Sequence, residues 1–307
     1  VLRLPELGAG APGVLLPALL SSGALALRVG GVRLTVQLSG DLAALLPHAA
    51  KYADFEASRT GTAPDDLDAA LVVRCTPEFV CDGPTGSTPH GYVRPDLRYT
   101  EDDGGARCEI DASEGAFDAA LELRLQSALH AHDGFVVHAS AGVDADGLAW
   151  LCPGPSGAGK STFARNAGFA RVLADEAVVV RRHARGWRVH GTPFWSDGRS
   201  LPYDPGDAPL GRLVRPIKAR EARLEPLSPA RAAAHLVESV LLHDDAPGIR
   251  QRLFERACDA ALAAQCYDVH FPKEGPWLSG VIERPAAWAP SSGRPSSGLS
   301  PSSCSGT

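Results

Sequence analysis

Apolar and polar residues alternate along "ALALRVGGVRLTVQLSG" (24–40), with Gly30-Gly31 at the centre. That period of two predicts a β-hairpin turned at the two glycines. "DLAALLPHAAKY" has helix-like spacing interrupted by Pro47, and "DAALVVRC" reads as a short strand. Between Thr76 and Gly105 glycine, proline and charge dominate, and "CDGPTGSTPHG" predicts a loop. The period changes near Ala116. Phe117, Ala120, Leu121, Leu125 and Leu129 recur at helical spacing, which predicts a helix to about His132, ended by Gly134. Two strand-like runs follow, "FVVHASAGV" and "LAWLCPG", joined by a hairpin turn at Asp144-Ala145-Asp146-Gly147. Then come a short helix from Lys160 to Ala167, a strand from Arg171 to Arg181, and another strand in "RLVRPIKAR". Ser228 as N-cap, with Pro229 at the first helical position, opens a helix in "SPARAAAHLVESVLLHD". A second helix covers 248–264, and "QCYDVHF" is a terminal strand. The tail 290–307, nearly all Ser, Pro and Gly, cannot bury enough apolar surface to fold and is expected to be disordered.

Composition narrows the function classes. The 307 residues, 44% of them hydrophobic, allow one large or two modest domains with a sizeable core. The net charge is −6 and no basic block occurs, so a nucleic-acid partner is not expected. Only four lysines stand against 26 arginines. The apolar runs are far shorter than the roughly 20 residues of a membrane helix. The apolar stretch Val14–Leu20 contains Pro17 and lacks a basic flank, so neither signal peptide nor membrane span is expected. The chain begins at Val1 and contains no methionine, which leaves the true N-terminus open. Seven cysteines, an odd number without a C-x-x-C pair, argue against a disulfide framework and a zinc ribbon and for a reducing cytoplasm.

The chemistry concentrates in "WLCPGPSGAGKSTFARN" (150–166). Gly154, Gly159, Lys160 and Ser161 satisfy G-x-x-x-x-G-K-[ST], the Walker A phosphate-binding loop. Glycines let backbone N–H groups curl around phosphate oxygens, the lysine reaches the β- and γ-phosphates, and the serine hydroxyl ligates Mg²⁺. The candidate nucleotide-binding set is Gly154, Ser156, Gly157, Ala158, Gly159, Lys160, Ser161 and Thr162. An apolar strand before and a helix after supply the context the motif requires. Asp175 and Glu176 follow Lys160 by 15 and 16 residues, after a helix too short for a long crossover, so they are expected near the loop. A carboxylate there can hold the metal, with Ser161, or take the proton of an attacking hydroxyl. His138, alone in the apolar run "VVHAS", reads either as a packed core residue or as a catalyst. His130 and His132 sit near a helix end, where capping is the expected role.

The order "VVHAS", hairpin, "GPSGAGKST", "VLADE" resembles the kinase domain of HPr kinase/phosphorylase and its shorter HPr kinase-like relatives, a domain related to phosphoenolpyruvate carboxykinase. "VHGTPFW", "RPIKA", "LEPLSPARAAAHL" and "CYDVHF" are similar to the shorter relatives, so the resemblance covers roughly 116–288. It implies that Lys160 and Ser161 hold nucleotide and Mg²⁺, and that Asp175 is the base toward a substrate serine hydroxyl. It implies further that Glu176 stands for a second aspartate as a metal ligand, and that His138 lies beside the phosphates. The stretch L-E-I-R-G-L-G of the bifunctional enzymes has no counterpart after the acidic pair, so the resemblance does not extend to phosphorylase activity or to recognition of HPr. Family members are often oligomers, and shorter relatives often accompany peptide-modification machinery, which makes a homo-oligomer and a peptide acceptor expectations of the resemblance alone.

The expected fold is α/β with mixed sheets. It comprises a smaller N-terminal α+β domain (1–115) for packing or substrate selection, a P-loop domain of HPr kinase and phosphoenolpyruvate carboxykinase type (116–289), and the tail 290–307. The expected function is an ATP- (or GTP-) and Mg²⁺-dependent kinase acting on a serine-type hydroxyl of a protein, peptide or small molecule. Lys160, Asp175 and His138 are its catalytic candidates, and Arg199, Arg212 and Arg215 are candidates to complete the phosphate clamp. A nucleotide-binding regulatory module without transferase activity is the alternative, and a plain P-loop ATPase ranks last.

Overall fold

Gly30 and Gly31 take φ values of +61° and +72°, which glycine adopts without the steric cost a Cβ would bring. They turn the chain tightly between β1 (Ala24–Val29) and β2 (Val32–Gly40). The computed structural model describes residues 23–42, 45–57, 66–82, 84–88, 91–103, 105–111, 113–195, 203–243 and 247–282. The apolar stretch 14–20, Arg199, Cys304 and the tail 290–307 lie outside the described residues. Pro47 does not interrupt a helix: it stands in the first turn of a 3-10 helix, Leu46–Phe55, where a missing N–H costs nothing. β3 (Leu67–Cys75) then runs parallel to β2.

The loop expected at 81–91 contains the short strand β4 (Gly86–Thr88), and the stretch on to Gly105 adds β5 (Gly91–Arg94) and β6 (Leu97–Asp102), an antiparallel meander leading into β7 (Gly105–Ile110). These strands are short and lie at one margin of the sheet, where glycine and charge are tolerated and the period of two is blurred. The first sheet has the order β1-β2-β3-β7-β6-β5-β4. Its buried positions alternate with exposed ones, so one face is covered and the other meets solvent. The cover is α1 (Glu114–His130), whose N-cap Ser113 accepts the Ala116 N–H at 3.1 Å. Helix α1 packs on β3 and β7 on one side and on β8 (Gly134–Val143) on the other. Leu34, Leu71, Ile110, Leu121 and Leu125 therefore share one core with Val136 and Val179 of the second sheet.

The second sheet is built around β8. On one edge it pairs antiparallel with β9 (Ala149–Pro153) and on the other with β10 (Arg171–Ala174) and β11 (Ala177–His183). β12 (Gly186–His190) joins β11 to β13 (Asp207–Lys218), and β13 also runs parallel to β9, so pairing closes a ring through β8, β11, β12, β13 and β9. β14 (Arg223–Pro226) and β15 (Gln265–Phe271) extend the sheet from β13. α2 (Lys160–Asn166) follows the glycine-rich loop 154–159, while α3 (Pro229–Val237) and α4 (Pro247–Ala263) pack against β13 and β15. α5 (Leu278–Ile282) is the last described helix. The molecule is thus mixed α/β, with two largely stranded mixed sheets and few helices. Among the described residues no helix is long and apolar enough to cross a membrane.

Candidate functional site

β9 is buried along its whole length and delivers the chain to the glycine-rich loop at Pro153. Gly157 and Gly159 have φ values of +79° and +102°, so the bends there rely on glycine. A Cβ on Gly159 would also stand 3.2 Å from Phe271 Cζ, and one on Gly154 would stand 3.3 Å from the Ala158 methyl. The loop is pinned at its start: the Gly154 N–H donates to His138 O at 3.3 Å, and His235 Nε2 on α3 lies 2.9 Å from Pro153 O. Behind it, Phe163 of α2 packs edge-on against Phe271 and beside Trp277, which fixes the helix. Ser156 and Gly157 are exposed, Ala158, Ser161 and Thr162 are half-buried, and Lys160 is only 5% exposed. The Lys160 amine turns back to donate to Pro155 O at 3.1 Å. Burial lowers its pKa, against the opposing pull of Glu176, Cys152 and Asp175.

The strand expected from Arg171 to Arg181 is broken at the acidic pair. β10 and β11 lie on the same edge of β8, pairing Ala174 with Ala141 and Ala177 with His138, so Asp175 and Glu176 form the kink between them. The Ala139 N–H donates to Glu176 O at 3.1 Å, and Ala139 pairs on its other side with Pro153. Glu176, Ala139 and Pro153 thus stand in one row across three strands, which sets the acids two strands from the glycine-rich loop. His138 is drawn into the same group: its Nε2 lies 3.1 Å from Glu176 Oε1. That hydrogen bond, helped by the charges of His138 and Lys160, holds the Glu176 carboxyl below its usual range despite partial burial.

Asp175 and Glu176 differ sharply in exposure. Asp175 is fully buried, and Tyr203 hydrogen-bonds to its carboxylate while stacking on Trp195 at 4.4 Å. Burial, and then the Asp175 charge, push the Tyr203 phenol upward. The side chain of Glu176 is 45% exposed and open to a ligand. Helix α1 contributes a carboxyl that sequence reasoning missed. Glu122 is pushed up to about 7 by burial and by Asp118, and it feels both Glu176 and His138.

Of the arginine candidates within the described residues, Arg212 and Arg215 spend their guanidinium groups on carboxylates away from the loop. Arg212 bonds Asp144 at 2.6 Å and lies over the Trp150 ring, and Arg215 makes two 2.7 Å bonds to Asp268. Lys218 does reach the loop, where its Nζ donates to Gly157 O at 2.8 Å. His130 and His132 lie at the far end of α1, where His130 stacks on His243 and Arg256 rather than a histidine takes the terminal carbonyls of Leu129 and His130. A cavity of about 320 Å³ opens there beside Tyr99, Glu101 and Arg252, away from the phosphate loop. Lys218, His235 and Glu122 come from three distant segments; Lys218 and His235 stand inside "RPIKA" and "LEPLSPARAAAHL", runs that carry the resemblance, but neither was singled out as a site residue.

Among the described residues no three His, Cys, Asp or Glu side chains form a metal-holding group. Ser161, Asp175 and Glu176 offer hard oxygen donors, a set suited to Mg²⁺, which keeps waters and shares its remaining ligands with phosphate. Compared with known proteins, the chain matches no family model and no curated protein.

Proposed function

We propose that the chain is an HPr kinase-like P-loop kinase that transfers the γ-phosphoryl group of ATP or GTP to a serine-type hydroxyl of a protein, peptide or small molecule. One observation carries the reading: a Walker A loop with a buried lysine stands across β8 from an Asp-Glu kink whose glutamate is tied to a histidine. Phosphoryl transfer needs little covalent help from a protein and depends on positioning and charge neutralisation, which a cation, a metal-binding acid pair and a histidine can supply. In this reading Gly154, Ser156, Gly157, Ala158 and Gly159 cradle the phosphates. Lys160 neutralises the transferred group, and Ser161 and Glu176 would hold Mg²⁺, which would add positive charge beside the phosphates. Asp175 accepts the proton of the acceptor hydroxyl, and His138 orients Glu176.

A second reading, a nucleotide-binding regulatory module without transferase activity, is favoured by one feature: Asp175 is fully buried under Tyr203. The test is γ-³²P transfer from ATP with Mg²⁺ to free serine and to serine peptides, for wild type, Lys160→Ala and Asp175→Asn. Label lost in both variants, with nucleotide affinity retained by Asp175→Asn, supports the kinase. Saturable nucleotide binding with no label on any acceptor supports the regulatory module.

A further inference from the structure

We infer that Lys218 is a second phosphate-binding cation of the loop, and that the nucleotide's phosphate chain is held between Lys160 and Lys218. The inference rests on the nucleotide-binding reading and adds to it a residue outside the Walker A pattern.

Strand register brings Lys218 to the loop. β13 runs parallel to β9 with Arg212 opposite Trp150 and Leu213 opposite Leu151. Continued, that register sets Arg215 beside Pro153, where β9 ends. Lys218 lies three residues farther, about 10 Å at the rise of a strand, and so overhangs the phosphate loop. β13 is held in that extension by β15, its other parallel neighbour, through to the pair Lys218–Phe271. The carboxyl ends of β9, β13 and β15 therefore share one rim, the place where parallel sheets bind ligands.

Contact geometry agrees. Lys218 Nζ is 2.8 Å from Gly157 O, and its Cε would lie 3.6 Å from a Cβ on Gly159. The stem thus runs along the loop from its last glycine to its middle one. Lys160 Nζ lies on Pro155 O, two residues away, so two ammonium groups grip the same short loop. The two lysines differ in a useful way: Lys160 is buried and Lys218 is exposed. No carboxylate pairs with Lys218 among the described residues, whereas Lys51 is bound to Glu114 and Asp118. An ammonium has three donors, so Lys218 can keep the Gly157 carbonyl and still grip phosphate oxygens. Arg212 and Arg215, two of the arginines expected to complete the clamp, are committed to Asp144 and Asp268.

The experiment is calorimetric titration of Mg-ATP, Mg-ADP and AMP into wild type, Lys218→Gln, Lys218→Arg and Lys160→Ala, with thermal melts to verify folding. Glutamine can still donate to the Gly157 carbonyl but carries no charge, so it separates a loop staple from a phosphate ligand. Loss of one charge-assisted phosphate contact predicts about tenfold or greater weakening of Mg-ATP by Lys218→Gln. It also predicts a smaller loss for AMP, a shallower salt dependence, and substantial recovery in Lys218→Arg. Binding by Lys218→Gln within about twofold of wild type, with Lys160→Ala inactive in binding, would overturn the inference and leave the nucleotide site standing. An equal loss for all three nucleotides would likewise reduce Lys218 to a staple of the loop. No nucleotide binding by wild type would overturn the proposed function and the inference with it.

Discussion

Tyr203 and Asp175 are a phenol and a carboxylate that meet in the interior, and the cost of separating them can be stated. Asp175 is fully buried, so a donor taken from it is not replaced by water. Tyr203→Phe removes that donor and little else, since the ring can still stack on Trp195. The expected result is a loss of about 1–3 kcal/mol in urea unfolding, with nucleotide affinity unchanged. A variant as stable as wild type would show that the hydroxyl does not serve Asp175. At this scale the sequence was informative where the candidate site is written contiguously. The glycines and lysine of residues 154–160 form one local pattern, and the structure gathers them into one loop whose bends rely on Gly157 and Gly159. Lys218, His235 and Glu122 reach the same neighbourhood through strand register and helix packing, and neither leaves a local pattern to read. His138 is intermediate: its strand was legible, but its partner Glu176 follows only from the pairing of β8 with the kinked strand.

The β11–β12 hairpin shows how an element acquires a pH dependence. His190 Nε2 lies 3.1 Å from His183 Nε2, and the burial of His190 pushes it down to about 3, with Asp207 opposing and His183, Arg181 and Arg188 adding to the shift. In the unfolded chain the same imidazole titrates near 6.5. Between those values the unfolded state binds the extra proton, so stability falls as pH drops from about 6.5 toward 3, by up to about 1.4 kcal/mol per pH unit. His190→Gln can keep a hydrogen bond to His183 and removes this titration. It is expected to flatten the stability profile between about pH 6 and 4, measured by urea unfolding at each pH. An unchanged slope would assign acid sensitivity elsewhere. The neighbouring β8–β9 hairpin was readable in the sequence because both strands are apolar and Asp144-Ala145-Asp146-Gly147 supplies the turn. The meander β4–β6 was not readable, since its strands are short and keep an exposed face, and the kink at Asp175–Glu176 was hidden inside an otherwise continuous apolar run.

At the scale of the whole molecule, α1 decides how independent the two sheets can be. The sequence puts a boundary at 115/116, at the start of this helix. Its packing serves both sides: Phe117, Leu121, Leu125 and Leu129 belong to the core that holds Leu34, Leu71 and Ile110 of the first sheet, and that core continues to Val136 and Val179 of the second. Lys51 and Tyr52, from the first part of the chain, also bond Asp118 on the helix. A fragment of residues 116–289 would keep the phosphate loop, Asp175, Glu176, His138 and Lys218 but would leave this helix face bare. Each large side chain returned to water forfeits about 1.5–3 kcal/mol, and four of them exceed much of the 5–15 kcal/mol that stabilises a typical domain. The expected outcome is a fragment that binds a hydrophobic dye and melts without cooperativity, while the full chain melts in a single transition seen alike by far-ultraviolet circular dichroism and tryptophan fluorescence. If the fragment instead melts cooperatively within about 5 °C of the full chain, the shared core is dispensable and the first sheet is an appendage. If it fails as expected, the shared core is required for the P-loop-bearing half to fold, and the boundary at 115/116 does not separate two independent units.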